Sequence, residues 1–117
     1  MSKDTGFSIT SAERYSLALF ELSEENNLLS QIEDQSSSIL NLIDQSEDFS
    51  NLIKDPTTSQ EDVLKVNNTI SENNKFESLF KNFLRFLIKK RRYFFIERIL
   101  KCFIEICSRK RGELKAE

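Results

Sequence analysis

Histidine and tryptophan are absent from this chain of 117 residues, which has two glycines, one proline and two cysteines. Without histidine there is no imidazole to serve as a general base or metal ligand, which removes the commonest hydrolase and zinc-site chemistries. Cys102 and Cys107 are five residues apart in a helical pattern. That spacing puts them about 140° apart on the helix surface, pointing away from each other, so they predict free thiols in or beside a core. The scarcity of glycine and proline excludes a glycine-rich phosphate loop and the frequent tight turns of a β fold, and predicts an all-α structure. Apolar runs such as Phe94-Phe95-Ile96 extend over only a few residues, far short of the roughly 18 of a membrane span. The first ten residues lack the basic and apolar regions of a secretory signal, so a protein on the cytosolic side is expected.

Ten phenylalanines stand in a composition that is 38% hydrophobic and 31% charged. The length suits one domain with a single core. The net charge of −2 conceals an asymmetry. Residues 1–60 have 3 Lys/Arg against 11 Asp/Glu, whereas residues 61–117 have 14 against 8. The halves should attract each other, whether as acidic and basic helices folded together or with a basic patch left over for an anion.

Hydrophobic periodicity predicts six helices. Residues 1–9 mix glycine, serine and charge without period and predict a flexible lead-in to a domain over 10–110. Thr10 with Glu13 fits a capping box opening the first helix, in which Ala12, Tyr15, Ala18, Leu19 and Leu22 recur at three- and four-residue steps. Asn26-Asn27 marks a break. A long second helix follows with Leu28, Leu29, Ile32, Ile39, Leu40 and Ile43, its centre weakened and open to bending at Ser36-Ser37-Ser38. Ser46 should cap a short third helix that Asp55-Pro56 stops. Thr58 with Glu61 suggests the cap of a fourth helix, which bears Val63, Val66 and Ile70. The fifth is expected from about Lys75 to Lys89. The sixth has Ile96, Ile99, Leu100, Phe103, Ile106 and Cys107 on one arc and should end at the cluster Arg109-Lys110-Arg111-Gly112.

The fifth helix is the most informative. At about 100° per residue, Phe76, Leu79, Phe80, Phe83, Leu84, Phe86, Leu87 and Ile88 cover roughly 200° of its surface, twice the stripe an ordinary surface helix buries. The first helix is also apolar on more than one face. On it Tyr15, Ala18 and Leu22 lie within about 60° of one another, as do Leu79, Phe83 and Phe86 on the fifth. Side by side, with small Ala18 opposite Phe86, the two helices would leave a shallow apolar groove suited to an amphipathic helix of another protein. Other helices of the same chain could equally cover both arcs.

Enzyme chemistry has little to stand on: no phosphate loop, no nucleophile elbow and no carboxylate pair within an apolar stretch. No catalytic, cofactor-binding or metal-binding residue is predicted, and no cofactor. Glu97 and Glu105 read as partners of Arg98, Lys101 and Arg109. Asn67-Asn68-Thr69 matches a glycosylation acceptor by chance. The run Lys89-Lys90-Arg91-Arg92, followed by Tyr93, Phe94 and Phe95, could grip phosphates and stack on bases. It also fits a helix C-terminus whose cations complement the dipole.

At these residues the chain resembles the N-terminal domain of the ATP synthase delta subunit, the family that includes the oligomycin-sensitivity-conferring protein. The family's opening pattern is echoed by Tyr15, Ala18, Leu19, Phe20, Glu21 and Glu24, with Ser16 and Ser23 where alanines are usual. A later pattern is matched by Asn82, Phe83, Leu84, Leu87 and Arg92, and Pro56 falls where the family closes its third helix. Lys89-Lys90 and Tyr93 depart from it. The resemblance implies a six-helix bundle and a non-catalytic stator role, peripheral on the cytoplasmic face of the bacterial inner membrane or its organelle equivalent, without membrane insertion or nucleic-acid binding. It implies that the N-terminal helix of an alpha subunit binds between the first and fifth helices on Tyr15, Ala18, Leu22, Leu79, Phe83 and Phe86, with Lys90 as a rim charge. It further implies that residues 111–117 begin a linker to a C-terminal domain, absent here, that meets the peripheral-stalk b subunit. A different class of helical bundle, the RNA-binding transcription antitermination regulators, is the alternative.

Overall fold

The computed structural model describes residues 3–115, with side chains described from 11 to 112. Six helices follow one another: α1 (Lys3–Glu25), α2 (Leu29–Gln45), α3 (Glu47–Lys54), α4 (Gln60–Asn73), α5 (Ser78–Lys89) and α6 (Ile96–Lys115), with a 3-10 turn at Tyr93–Phe95 leading into the last. The all-α six-helix bundle is therefore as expected, and no strand occurs among the described residues.

Helix α6 is the central element. Ile96, Ile99, Leu100, Phe103 and Cys107 on its inner arc are fully buried. Its most extensive pairing is with α1 and the next with α2, while α3 leans on α2 and α4 on α5. The α1–α6 contact is close enough for a polar tie: Ser16 Oγ, fully buried, lies 2.6 Å from the Ala12 carbonyl and 2.8 Å from that of Ile99. Having one proton, the hydroxyl donates to one of these carbonyls at a time, and either satisfies it. The expected attraction between the halves appears as a two-pronged ion pair, Arg111 Nη1 and Nη2 donating to Glu33 Oε1 and Oε2 at 2.8 and 3.0 Å, which pins the end of α6 to α2. On the outer face of α6, Lys101 pairs with Glu97 at 3.2 Å.

With so little glycine, the chain turns corners on other residues. Asn27, Lys75 and Arg91 adopt left-handed backbone with φ of 58°, 54° and 60°. Each sits just past a helix end and is framed by the same two hydrogen bonds. After α1, Leu28 N–H reaches the Ser23 carbonyl and Asn27 N–H that of Glu24; Phe76/Ser71 with Lys75/Glu72, and Arg92/Leu87 with Arg91/Ile88, repeat this after α4 and α5. This is the Schellman arrangement, which usually places glycine where these three side chains stand. Terminal carbonyl satisfaction offsets a left-handed strain of about 1–2 kcal/mol at each site.

Several boundaries differ from expectation for identifiable reasons. The backbone is already helical at Lys3, ahead of the Thr10–Glu13 capping box and through most of the expected lead-in; Met1 and Ser2 lie outside the described residues. Ser46 caps α3 as expected, its Oγ accepting from Phe49 N–H at 3.1 Å. The α4 cap is one residue later than Thr58: Ser59 Oγ accepts from Asp62 N–H at 3.1 Å. Thr57, just upstream, donates to Asp55 Oδ1 through both N–H (2.9 Å) and hydroxyl (2.7 Å), which keeps the Pro56 turn out of the helix. Helix α5 starts at Ser78 rather than Lys75 because Lys75 is the left-handed corner. Helix α6 runs through Gly112, which has no positive φ and stops nothing, so residues 111–115 continue the helix. Residues 116 and 117 lie outside the described residues. Helix α2 passes unbroken through its three serines, with Ser36 fully buried.

Both cysteines are free. Cys107 is fully buried, and burial, assisted by the Glu33 carboxylate, pushes its thiol up to about 11. Cys102 is half-buried. Because the thiolate is the reactive form, a water-soluble maleimide at about pH 7.5 should add once to the native chain, at Cys102, and twice in denaturant. Two adducts on the native chain by mass spectrometry would show that α6 is not packed as described.

Candidate helix-binding groove

The two apolar arcs meet where expected. Tyr15 on α1 and Phe86 on α5 touch edge to face, with ring centroids 6.1 Å apart and planes at 63°. Below this contact lies a trough of about 580 Å³ lined by Tyr15, Ala18, Leu22, Asn26, Leu79, Asn82, Phe83 and Phe86. Its floor is Phe83, 6% exposed, while Leu22 and Phe86 on opposite walls are each 43% exposed. Ala18 is exposed and Tyr15 and Leu79 are half-buried. Among the described residues, no other helix covers the surplus apolar surface at these positions. Ala18 makes the depth: with only a methyl on that turn of α1, the wall is low between Tyr15 and Leu22.

The opposite side of α5 is buried, with Phe80, Leu84, Leu87 and Ile88 in the core beside Phe76, which meets Phe80 edge to face at 5.1 Å. The 200° arc thus divides into a face for the bundle and a face for the trough. Gln60 at the start of α4 donates to the Ile88 carbonyl at 2.6 Å, which holds the C-terminal turn of α5 in place. Lys90, just beyond α5, holds its Nζ 5.8 Å from the centroid of the Phe86 ring, at the rim of the trough but not in its lining. That position suits a weak cation–π contact.

The structure therefore brings all six apolar residues of the expected site together, with Lys90 at the edge. Sequence reasoning missed Asn26 and Asn82 as lining residues, because both are polar and its search was for an apolar stripe. It also missed a second depression of about 650 Å³ on the far side of Phe86, lined by residues including Leu64, Asn82, Arg85, Ile88 and Lys89, with Leu64 36% exposed.

The basic run is split in character. Lys89, Lys90 and Arg91 are exposed, but Tyr93 is buried and its hydroxyl donates to Asn67 Oδ1 at 3.1 Å. Burial raises the Tyr93 pKa above its ordinary value, so the hydroxyl remains a donor. Phe95 is half-buried, which leaves Phe94, 53% exposed, as the one open aromatic of the three. Among the described residues, no group of three His, Cys, Asp or Glu side chains is placed to hold a metal ion, and no helix is long and apolar enough to cross a membrane.

Comparison with known proteins identifies the family of this fold. A family model described as the ATP synthase delta (OSCP) subunit matches residues 12–117. The chain is 60% identical over 117 residues to the ATP synthase subunit delta of Pelagibacter ubique (strain HTCC1062), covering 100% of this chain and 63% of that protein. It is 34% identical over 106 residues to the subunit delta of Chelativorans sp. (strain BNC1), covering 91% and 57%, and 31% identical over 105 residues to that of Rhodospirillum rubrum, covering 90% and 56%. The chain thus spans about three-fifths of the length of these curated relatives. Among solved structures, a chain of the Toxoplasma gondii mitochondrial ATP synthase hexamer superposes with a TM-score of 0.74 at 26% identity, covering 79% of this chain and 51% of that one. From Ala12 onward, through all six helices, this chain belongs to the ATP synthase delta (OSCP) subunit family.

Proposed function

We propose that this bundle is a non-catalytic stator module of the rotary ATP synthase, which binds the amphipathic N-terminal helix of an alpha subunit in the α1–α5 trough and so helps to hold the catalytic head against rotor torque. The observation that carries the reading is the open trough itself. In a chain of this family, Ala18, Leu22 and Phe86 stay exposed around a nearly buried Phe83, an apolar cleft with no occupant among the described residues. Burial of such surface against an amphipathic helix is favourable at about 25 cal/mol per Å² before the costs of association. The link to the peripheral-stalk b subunit belongs to the same proposal and lies outside the six-helix bundle. By the same proposal, the protein lies at the membrane periphery, on the cytoplasmic face or its organelle equivalent.

Salt separates this reading from the RNA-binding alternative, which the exposed Lys89-Lys90-Arg91 run and Phe94 would serve. Affinity of the full chain for a synthetic alpha-subunit N-terminal helix should change less than about tenfold between low and moderate salt. A phosphate-driven RNA complex with several contacts should weaken by a hundredfold or more over about the same range. Calorimetry with both ligands decides it: no detectable heat with the helix, together with tight and steeply salt-dependent RNA binding, would overturn the stator assignment.

A further inference from the structure

The trough has direction. Tyr15 meets Phe86, yet Leu22 and Leu79 line the same cleft, so α1 and α5 run antiparallel along it. One end is marked by Tyr15 and Phe86 and the other by Leu22 and Leu79. Helical phase at about 100° per residue puts Arg14, Glu21 and Glu25 within about 60° of Ala18, on the edge turned away from buried Leu19 and Ser23. All three are exposed, as are Lys89 and Lys90. Arg14 adjoins Tyr15 and Lys90 lies over Phe86, whereas Lys89 lines the depression on the far side of Phe86. The Tyr15–Phe86 end is therefore bordered by two cations, Arg14 and Lys90. The Leu22–Leu79 end, one to three turns further along α1, is bordered by Glu21 and Glu25 and faces uncharged Leu79 and Asn82 across the cleft. Ion pairs among the described residues are Lys101–Glu97 and Arg111–Glu33, so these four border charges are engaged in none.

From this we infer that the trough selects its occupant by the order of charges along it. Resting on the groove reading above, the inference specifies the partner: an amphipathic helix of about three turns, matching the roughly 16 Å from Tyr15 to Asn26. Acidic residues flank its apolar stripe at the Tyr15–Phe86 end, and basic residues flank it at the Leu22–Leu79 end. The occupant's side-chain charges are full charges, against about half a charge at each end of its backbone dipole, so their order sets which way round the helix lies. Exposed pairs of this kind contribute about two- to fivefold each in affinity.

The test titrates the full chain calorimetrically with three synthetic helical peptides of identical Leu/Ala stripe. One has acidic flanks at one end and basic flanks at the other, one has basic flanks throughout, and one has neutral Gln flanks. The mixed peptide should bind about five- to tenfold tighter than the neutral one at low salt, and that advantage should shrink severalfold at about 0.5 M salt. In the Arg14→Glu, Lys90→Glu double variant, whose changes are at exposed positions, the wholly basic peptide should become the tightest. Equal affinities of all three peptides for the unaltered chain overturn the inference while leaving the groove reading intact, since the neutral peptide still binds. If none of the three binds, or if Ala18→Trp leaves their binding unchanged, the groove reading fails and takes this inference with it.

Discussion

Ala18→Trp should abolish binding of an alpha-subunit N-terminal helix to this bundle while leaving the bundle folded. Ala18 is exposed and lines the trough between Tyr15 and Leu22. An indole there fills the space that the central apolar side chain of the incoming helix needs. Burial of one such Leu or Ile side chain is worth about 1.5–3 kcal/mol, so its exclusion alone weakens the complex roughly ten- to hundredfold. Clash with the helix backbone adds to that loss. Because Ala18 lies outside the core, the thermal midpoint should be nearly unchanged. Calorimetry showing wild-type affinity in the folded variant would move the binding site away from the α1–α5 trough.

The second large effect contrasts two phenylalanines of one helix. Phe80 is fully buried and packs edge to face on Phe76, whereas Phe86 is 43% exposed and leans on Tyr15. Phe80→Ala leaves a cavity and should cost about 3–5 kcal/mol. That is a large share of the roughly 5–15 kcal/mol that stabilises a domain of this size. The midpoint should fall by about 10–20 °C on the usual scaling of stability with melting temperature, and part of the population would unfold near physiological temperature. Phe86→Ala removes a side chain that already touches water and should shift stability by about 1 kcal/mol or less, yet it deletes a wall of the trough and should weaken helix binding about tenfold or more. Paired denaturation and binding curves read both quantities. Similar stability losses in the two variants would mean that α5 is buried all round and that no binding face is left over.

The helix inventory was legible in the sequence because burial imposes a period of 3.6 wherever a helix meets a core. The arc on α6 was read correctly because a single partner layer surrounds it. Helix ends were less legible. Thr58–Glu61 and Ser59–Asp62 both fit a capping pattern one residue apart, and the helix takes the second, Ser59 Oγ accepting from Asp62 N–H. Lys75 and Arg91 gave no signal of left-handed backbone, since the usual mark of such corners is glycine and this chain uses other residues there. Gly112 gave the opposite false signal: a lone glycine permits a helix end without requiring one.

By itself the sequence determined that the protein is all-helical, that its fifth helix has more apolar surface than one neighbour can hide, and that its family is that of the ATP synthase delta subunit. Whether the surplus would be sealed by the chain's own helices or left open was decided only by the tertiary structure. Periodicity fixes which residues share a face but not what stands opposite that face. The answer depends on how α1 and α4 pack around α5, and that packing leaves Phe86 standing between two depressions while Phe80 is enclosed. The charged borders of the trough are likewise a tertiary property, because Arg14 and Lys90 are distant in sequence and share one end of the groove only when α1 and α5 lie antiparallel.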